Sequence, residues 1–254
     1  MRSNAEWVFW GKTDPLWAVA SHPGRERHGA NPWRDADFYK NGDADWQGFL
    51  RHWQQFGVDR ECCVEIGCGA GRMTKALAHT FGHVHGVDVS PGMIDYARAH
   101  INEPNISFHL GDGERFPLPD ASVTAVFSTH VFQHFESVAD SVPVFRDVAR
   151  ILRPRGSLMI HLPLYMYPHP TSRLTRFVRT QYAARKKMAD AVAAWKRWQL
   201  KRNKNAPLMR GTYYDVDWLY RLLLDLGMEE VQFAMVAAQP GAPLHSLVLA
   251  RKGT

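Results

Sequence analysis

Three glycines on alternate positions, Gly67, Gly69 and Gly71, end an apolar run that holds Cys62, Cys63, Val64 and Ile66. Directly after them, Met73, Leu77 and Ala78 fall at helical spacing. A strand that stops at a glycine turn and reopens as a helix makes a nucleotide-binding corner. Glycine lets the chain turn sharply and lets a ligand come close to the backbone. The helix start behind it offers unpaired N–H groups. The spacing narrows the choice of ligand. A dinucleotide fingerprint needs a small third residue in the form G-x-G-x-x-G/A; counted from Gly67, that place holds Arg72. A phosphate-cradling P-loop needs Gly-Lys-Ser/Thr, which is absent.

The next apolar run, 83–89, places Asp88 21 positions after Gly67. An acid about 20 residues beyond such glycines, at a strand's end, accepts hydrogen bonds from both ribose hydroxyls. A charged acceptor makes those bonds stronger than a neutral one would. Ser90 and Pro91 then suit an N-cap and first helical turn. Asp88 capping that helix alone is the other reading, and the distance to the glycines favours the ribose. A third run, 106–110, leads into Gly111-Asp112-Gly113, and a fourth, 123–128, ends at Ser128.

Two of these stretches resemble motifs of the class I S-adenosylmethionine (SAM)-dependent methyltransferases. Glu65 to Gly71 reads E-x-G-x-G-x-G, and Gly86 to Met93 reads G-V-D-x-S-x-x-M. Gly111-Asp112-Gly113 resembles the family's G-D-A segment, with Gly113 in place of alanine, and residues 116–120 resemble its L-P-F-P-D turn. The resemblance implies SAM as cofactor. It implies that Asp88 binds the ribose, that Val89 and Met93 flank the adenine and that Asp112 receives the adenine amino group. The whole implied cofactor set is Glu65, Gly67, Cys68, Gly69, Arg72, Asp88, Val89, Met93, Asp112, Gly113 and Ser128. One departure is Thr124, where the family usually has an acid early in strand four.

Apolar runs and helical patterns alternate: strand 61–66, helix 72–80, strand 83–88, helix 91–100, strand 105–110, strand 123–128, helix 138–152 and strand 157–162. A helix over 215–226 and two strands over 230–236 and 245–251 follow. Such alternation predicts an α/β fold. The expected form is a Rossmann-like, doubly wound sheet of seven strands with the last strand antiparallel and helices on both faces. Ligands of such sheets bind beyond the carboxyl ends of the strands, where Gly67–Gly71, Asp88, Asp112 and Ser128 fall.

Methyl transfer to an oxygen, nitrogen or acidic carbon that still carries its proton needs that proton removed. The segment after strand four, Ser128-Thr129-His130-Val131-Phe132-Gln133-His134, offers His134 and His130 as catalytic candidates. His134 matches the histidine of the family's V-x-x-H segment, and His130, one helical turn away, would share its face. His134 holding the loop by hydrogen bonding is the structural alternative. Tyr165, Tyr167, His161 and Tyr213 lie on the same rim. No Asp/Asn-Pro-Pro-Tyr follows strand four, which lowers a nucleic-acid reading.

The 254 residues divide into an aromatic arm (1–56), a SAM-binding domain (57–162 and 212–254) and an inserted basic lid (163–211). The arm's tryptophans either close over the cofactor or cover apolar surface of the domain. Residues 43–56 fit an amphipathic helix with Trp46, Phe49, Leu50 and Trp53 on one face. Within 171–205 eleven basic residues meet the single acid Asp190, while the whole chain is only +6, so the basicity is local. A lid over the acceptor is the first reading of that segment; contact with a membrane surface or with nucleic acid are the others. The expected partner is therefore a small-molecule substrate of anionic or amphiphilic character. RNA or protein is the alternative substrate. No apolar run reaches membrane-spanning length. The three cysteines lie in one stretch without zinc-ligand spacing. These features point to the cytoplasm and to no metal.

Overall fold

The computed structural model describes residues 2–166 and 211–254. The basic segment expected over 171–205 lies outside them, as does Tyr167. The strands, in chain order, are β1 (Cys62–Ile66), β2 (His83–Asp88), β3 (Ile106–Leu110), β4 (Val123–Ser128), β5 (Leu152–His161), β6 (Leu164–Tyr165), β7 (Tyr214–Asp215), β8 (Met228–Ala237) and β9 (Leu244–Lys252). Seven of them form one sheet in the order β3-β2-β1-β4-β5-β9-β8. Neighbours from β3 to β5 pair in parallel, and β9 enters antiparallel between β5 and β8. The order reverses between β1 and β4, which opens a crevice beyond the strand ends there. The two-residue strands β6 and β7 pair in parallel, so the chain on either side of 167–210 is held together.

The helices are α1 (Arg2–Thr13), α2 (Pro15–Val19), α3 (Asp35–Phe56), α4 (Arg72–Ala78), α5 (Pro91–His100), α6 (Val142–Ile151) and α7 (Val216–Asp225). They cover both faces because the inner strands are apolar on both. In β4, Val126 joins a core with Phe145 and Val148 of α6 and Leu219 and Leu223 of α7. Its neighbours Ala125 and Phe127 join the opposite core with Trp46, Phe49 and Trp53 of α3 and Met73 and Leu77 of α4. Successive side chains point to opposite faces, so a fully buried strand feeds two cores. A third cluster seats the leader: Leu16 and Ala18 of α2 pack with Phe38 and Tyr39 of α3 and Met93 and Ala97 of α5.

Three boundaries differ from the sequence expectation. α3 begins at Asp35 rather than near 43. Asp35 and Asp37 sit in its first turn, where negative charge is favoured, and Phe38 and Tyr39 extend its buried face. The helix ends at Gly57, whose φ of 91° suits a left-handed C-cap. The helix expected over 138–152 splits into a 3-10 turn, Val138–Ser141, and α6. Pro143 falls in the first turn of α6, where its missing N–H costs nothing. β5 starts at Leu152, and its register with β4 shifts between Leu152 and Ser157. Pro154 and Gly156 lie in that irregular stretch, where a missing ladder bond is tolerated.

Trp53 is completely buried, and its indole N–H donates to Ser157 Oγ at 3.0 Å, tying α3 to β5. Trp53→Ala is expected to destabilise the fold by about 3–5 kcal/mol, measured as a lowered urea midpoint.

Candidate active site

The glycine turn is anchored before any ligand arrives. The amides of Gly67 and Cys68 both donate to Val87 O, at 2.7 and 3.0 Å, so the turn after β1 is stapled to the end of β2. Gly67, Gly69 and Gly71 have φ values of 70°, 53° and 81°, a region that side chains other than glycine rarely adopt. Asp88 completes the corner. Its Oδ2 accepts from the Gly69 amide and its Oδ1 from the Ser90 amide, each at 2.9 Å. A carboxylate offers about four acceptor positions, so capacity remains for a ligand. Burial raises this carboxyl above its ordinary value, against the pull of those amides. Asp88 thus steadies the start of α5 and also lines the cavity. Ser90 takes the N-cap place without capping through its hydroxyl, while its own amide bonds Asp88.

A cavity of about 650 Å³ opens at this corner, within the range of small-molecule sites. Gly67, Gly69, Arg72, Asp88, Val89, Met93 and Gly113 line it, together with His130 and His134. The structure therefore gathers nine of the sequence candidates around one space. Four others stand off its wall. Glu65 is buried behind the turn and accepts from Thr74 Oγ at 2.5 Å. Cys68 is buried beside Gly86. Ser128 donates its hydroxyl to Ile66 O at 3.0 Å, bridging β4 and β1. Asp112 turns its carboxylate to its own loop, where Oδ1 accepts from the amides of Glu114 and Arg115, each at 2.8 Å. Those bonds hold the Asp112 carboxyl below its ordinary range.

The histidines do not share a helical face as expected. His130 adopts a left-handed backbone, with φ of 60°, and only a 3-10 turn, Phe132–His134, follows it. The two rings diverge. His134 meets Trp7 of α1 edge-on at 5.0 Å and lies 3.2 Å from Gln133 Nε2. His130 faces His161 and His245, with ring centroids 4.6 and 5.0 Å away. Burial lowers His130 to about 2 and His161 to about 4. His245 is lowered too, also chiefly by burial.

Several cavity residues had no sequence signal. Asn41 and Asp45, one turn apart on α3, both bond Arg72 Nη1, at 2.9 and 2.5 Å. Asn4 of α1 donates to Asp112 O at 3.1 Å and lines the cavity beside Gly113. His245 and Gln239 come from the closing hairpin. The i, i+4 spacing of Asn41 and Asp45 marks a shared helix face, but nothing local ties that face to the glycine turn. The arm's tryptophans divide between the cavity and the core. Trp7 lines the cavity, while Trp10 and Trp33 pack against the third core cluster.

Residues 64–160 match the methyltransferase-domain family. Over those residues the chain carries a methyltransferase domain of the SAM-dependent kind. Among curated relatives, it is 34% identical over 108 residues to a malonyl-[acyl-carrier protein] O-methyltransferase of Hahella chejuensis, covering 40% of this chain and 38% of that one. It is 26% identical over 162 residues to a demethylmenaquinone methyltransferase of Tropheryma whipplei, covering 57% of this chain and 66% of that one. The methyltransferase homology thus spans less than two thirds of these relatives' lengths. In fold it is similar to magnesium protoporphyrin IX methyltransferase of Synechocystis, solved with bound S-adenosylhomocysteine, with a TM-score of 0.58 at 13% identity over 94% of this chain and 93% of that one. Among the described residues, no helix is long and apolar enough to cross a membrane.

Burial pushes the Glu65 carboxyl from 4.5 up to about 8. The fold holds a proton that the unfolded chain has already released, so stability falls as pH rises from about 5 to 8 and levels off above that. Glu65→Gln removes the titration. Urea denaturation across that range is expected to show the variant losing less stability than the parent protein.

Proposed function

We propose that the protein uses SAM to methylate a small, partly apolar acceptor held against His130 and His134. The observation that carries this reading is a shared wall. The glycine turn and Asp88 line the same cavity as the histidine-bearing segment after β4, so one space serves a nucleoside and an acceptor. The residues suit the cofactor. Gly67 and Gly69 line the cavity with backbone that a side chain would strain. Two buried polar atoms on that wall, Arg72 Nε and Thr129 Oγ, have no hydrogen-bond partner among the described residues. Buried polar groups are otherwise nearly always paired.

In this reading the remaining acceptor positions of Asp88 take the ribose hydroxyls, and Val89 and Met93 flank the adenine. Gly113 and Asn4 border the base, with the Asp112 carboxylate turned away to shape the loop. Arg72 offers its unpaired Nε–H to the cofactor carboxylate. Glu65, Cys68 and Ser128 support the turn from behind. Bound SAM supplies a methyl group already activated on a sulfonium. The protein's part is then alignment and exclusion of water, for which Trp7 and α1 close one side. Where the acceptor carries a proton, His134 removes it, positioned by Gln133 and Trp7. The apolar walls given by Val131, Phe135 and Val144 favour an acceptor with hydrocarbon character. The relatives' names give a malonyl group on a carrier protein and demethylmenaquinone as their substrates, which supports a small acceptor group.

Asp88→Ala is expected to weaken S-adenosylhomocysteine binding more than about tenfold, by calorimetry; unchanged affinity would refute the ribose assignment. His134→Ala is expected to slow turnover about 100-fold or more with cofactor affinity kept. Methyl-labelled SAM and a host extract identify the acceptor class. Label is expected in low-mass or lipid fractions, or on a carrier-bound acyl group that thioester cleavage releases as low-mass label; label in RNA, or in protein that resists such cleavage, would overturn the small-acceptor reading.

A further inference from the structure

The ends of three neighbouring strands bring three histidines together. His130 follows β4, His161 closes β5, and His245 lies at the start of β9. Their ring centroids are 4.6, 5.0 and 5.1 Å apart, and one nitrogen from each lies within 4.8 Å of the other two. His130 and His245 line the cavity, and His161 is buried behind them. The only other close histidine set among the described residues is on the far end of the sheet order, where His85 Nδ1 lies 3.0 Å from His109 Nε2.

We propose that His130, His161 and His245 bind one divalent transition-metal ion of the zinc class, with an open coordination position facing the cavity. Imidazole nitrogens suit such ions, and three histidines with one open position make a reactive rather than a closed site. The geometry needs modest closure. Tetrahedral zinc with nitrogens at about 2.0 Å sets them about 3.3 Å apart, so side-chain rotation must bring the rings in by up to about 1.5 Å. Ligation by His161 also gives up one bond, because its Nδ1 now accepts from the His130 amide at 3.2 Å. The neighbouring charges allow a cation. Arg72 is the nearby positive group, and Asp45 neutralises it at 2.5 Å while standing on the same cavity wall. His134, which also acts on His130 and His161 electrostatically, lies on the acceptor side of the cavity. The open position would take an anionic oxygen or sulfur donor entering the cavity. Metal binding does not depend on the proposed methyl transfer.

The test uses untagged, chelator-stripped protein titrated with zinc chloride by calorimetry and with cobalt chloride by visible spectroscopy. One equivalent of zinc, and the intense visible bands of tetrahedral cobalt, are expected. Loss of even an outer partner of a metal ligand costs about 10–100-fold in affinity, so His245→Ala and His130→Ala should each weaken zinc binding by at least about tenfold. His245 and His130 are only partly buried, and circular dichroism verifies that the variants fold. His85→Ala should bind zinc as the parent protein does. Failure to bind one equivalent would overturn the inference, as would unchanged affinity in His245→Ala or loss of binding in His85→Ala. S-adenosylhomocysteine is titrated separately into the metal-free protein. Its failure to bind would count against the proposed function and leave the metal site standing.

Discussion

The site depends on how the end of β1 is fastened to the end of β2. Two amides of the glycine turn bond one carbonyl, Val87 O, and a third bonds the Asp88 carboxylate. Parallel strands alone would leave these groups unpaired at the sheet's rim, and unpaired backbone groups are costly once covered. The turn therefore fixes its own shape, and it does so by using part of the acceptor capacity of Asp88. What remains of that capacity faces the cavity. In the proposed function, structure and binding share this one carboxylate, which accounts for an acid there rather than a neutral cap.

Around this corner the protein uses its buried polar groups as struts. Thr74 holds Glu65, Ser128 holds Ile66 O, and Arg72 is clamped by Asn41 and Asp45 of α3. Each strut joins two elements that meet at the cavity. Glu65 illustrates the cost: its burial is tolerated because it keeps a proton near neutral pH. α3 is more than a cover for the sheet, since one face buries Trp46 and Trp53 while another grips the start of α4. The leader adds the opposite wall, with Asn4 over the loop at Asp112 and Trp7 against His134.

The proposed acceptor end of the cavity is built differently from the proposed cofactor end. The cofactor end is backbone amides, glycines and one carboxylate. The acceptor end is imidazole rings, one indole and aliphatic side chains. His130 separates the two functions after β4, because its left-handed backbone sends its ring toward β5 and β9 and leaves His134 facing Trp7. Burial disfavours the charged form of all three clustered rings, and neighbouring imidazoles add to this for His130 and His161.

The strand and helix pattern was legible in the sequence because period two and period 3.6 are local properties. So were the glycine turn and Asp88, whose spacing reflects a single β-α-β unit. The late start expected for α3 failed where tertiary contacts decided, because Phe38 and Tyr39 gain burial only once α5 is beside them. The unbroken helix expected over 138–152 failed for a local reason: Ser137 and Asp140 cap a 3-10 turn, and Pro143 opens α6 after it. Asp112 stands off the cavity wall, with its Oδ1 shared by two local amides. The grouping of His130, His161 and His245 could not be read along the chain. It exists because β9 inserts beside β5, a pairing of residues more than eighty positions apart, such as His161 with Leu247. The sequence alone determined the elements and the cofactor corner; the strand order, set by which apolar faces bury one another, decided what stands across the cavity from it.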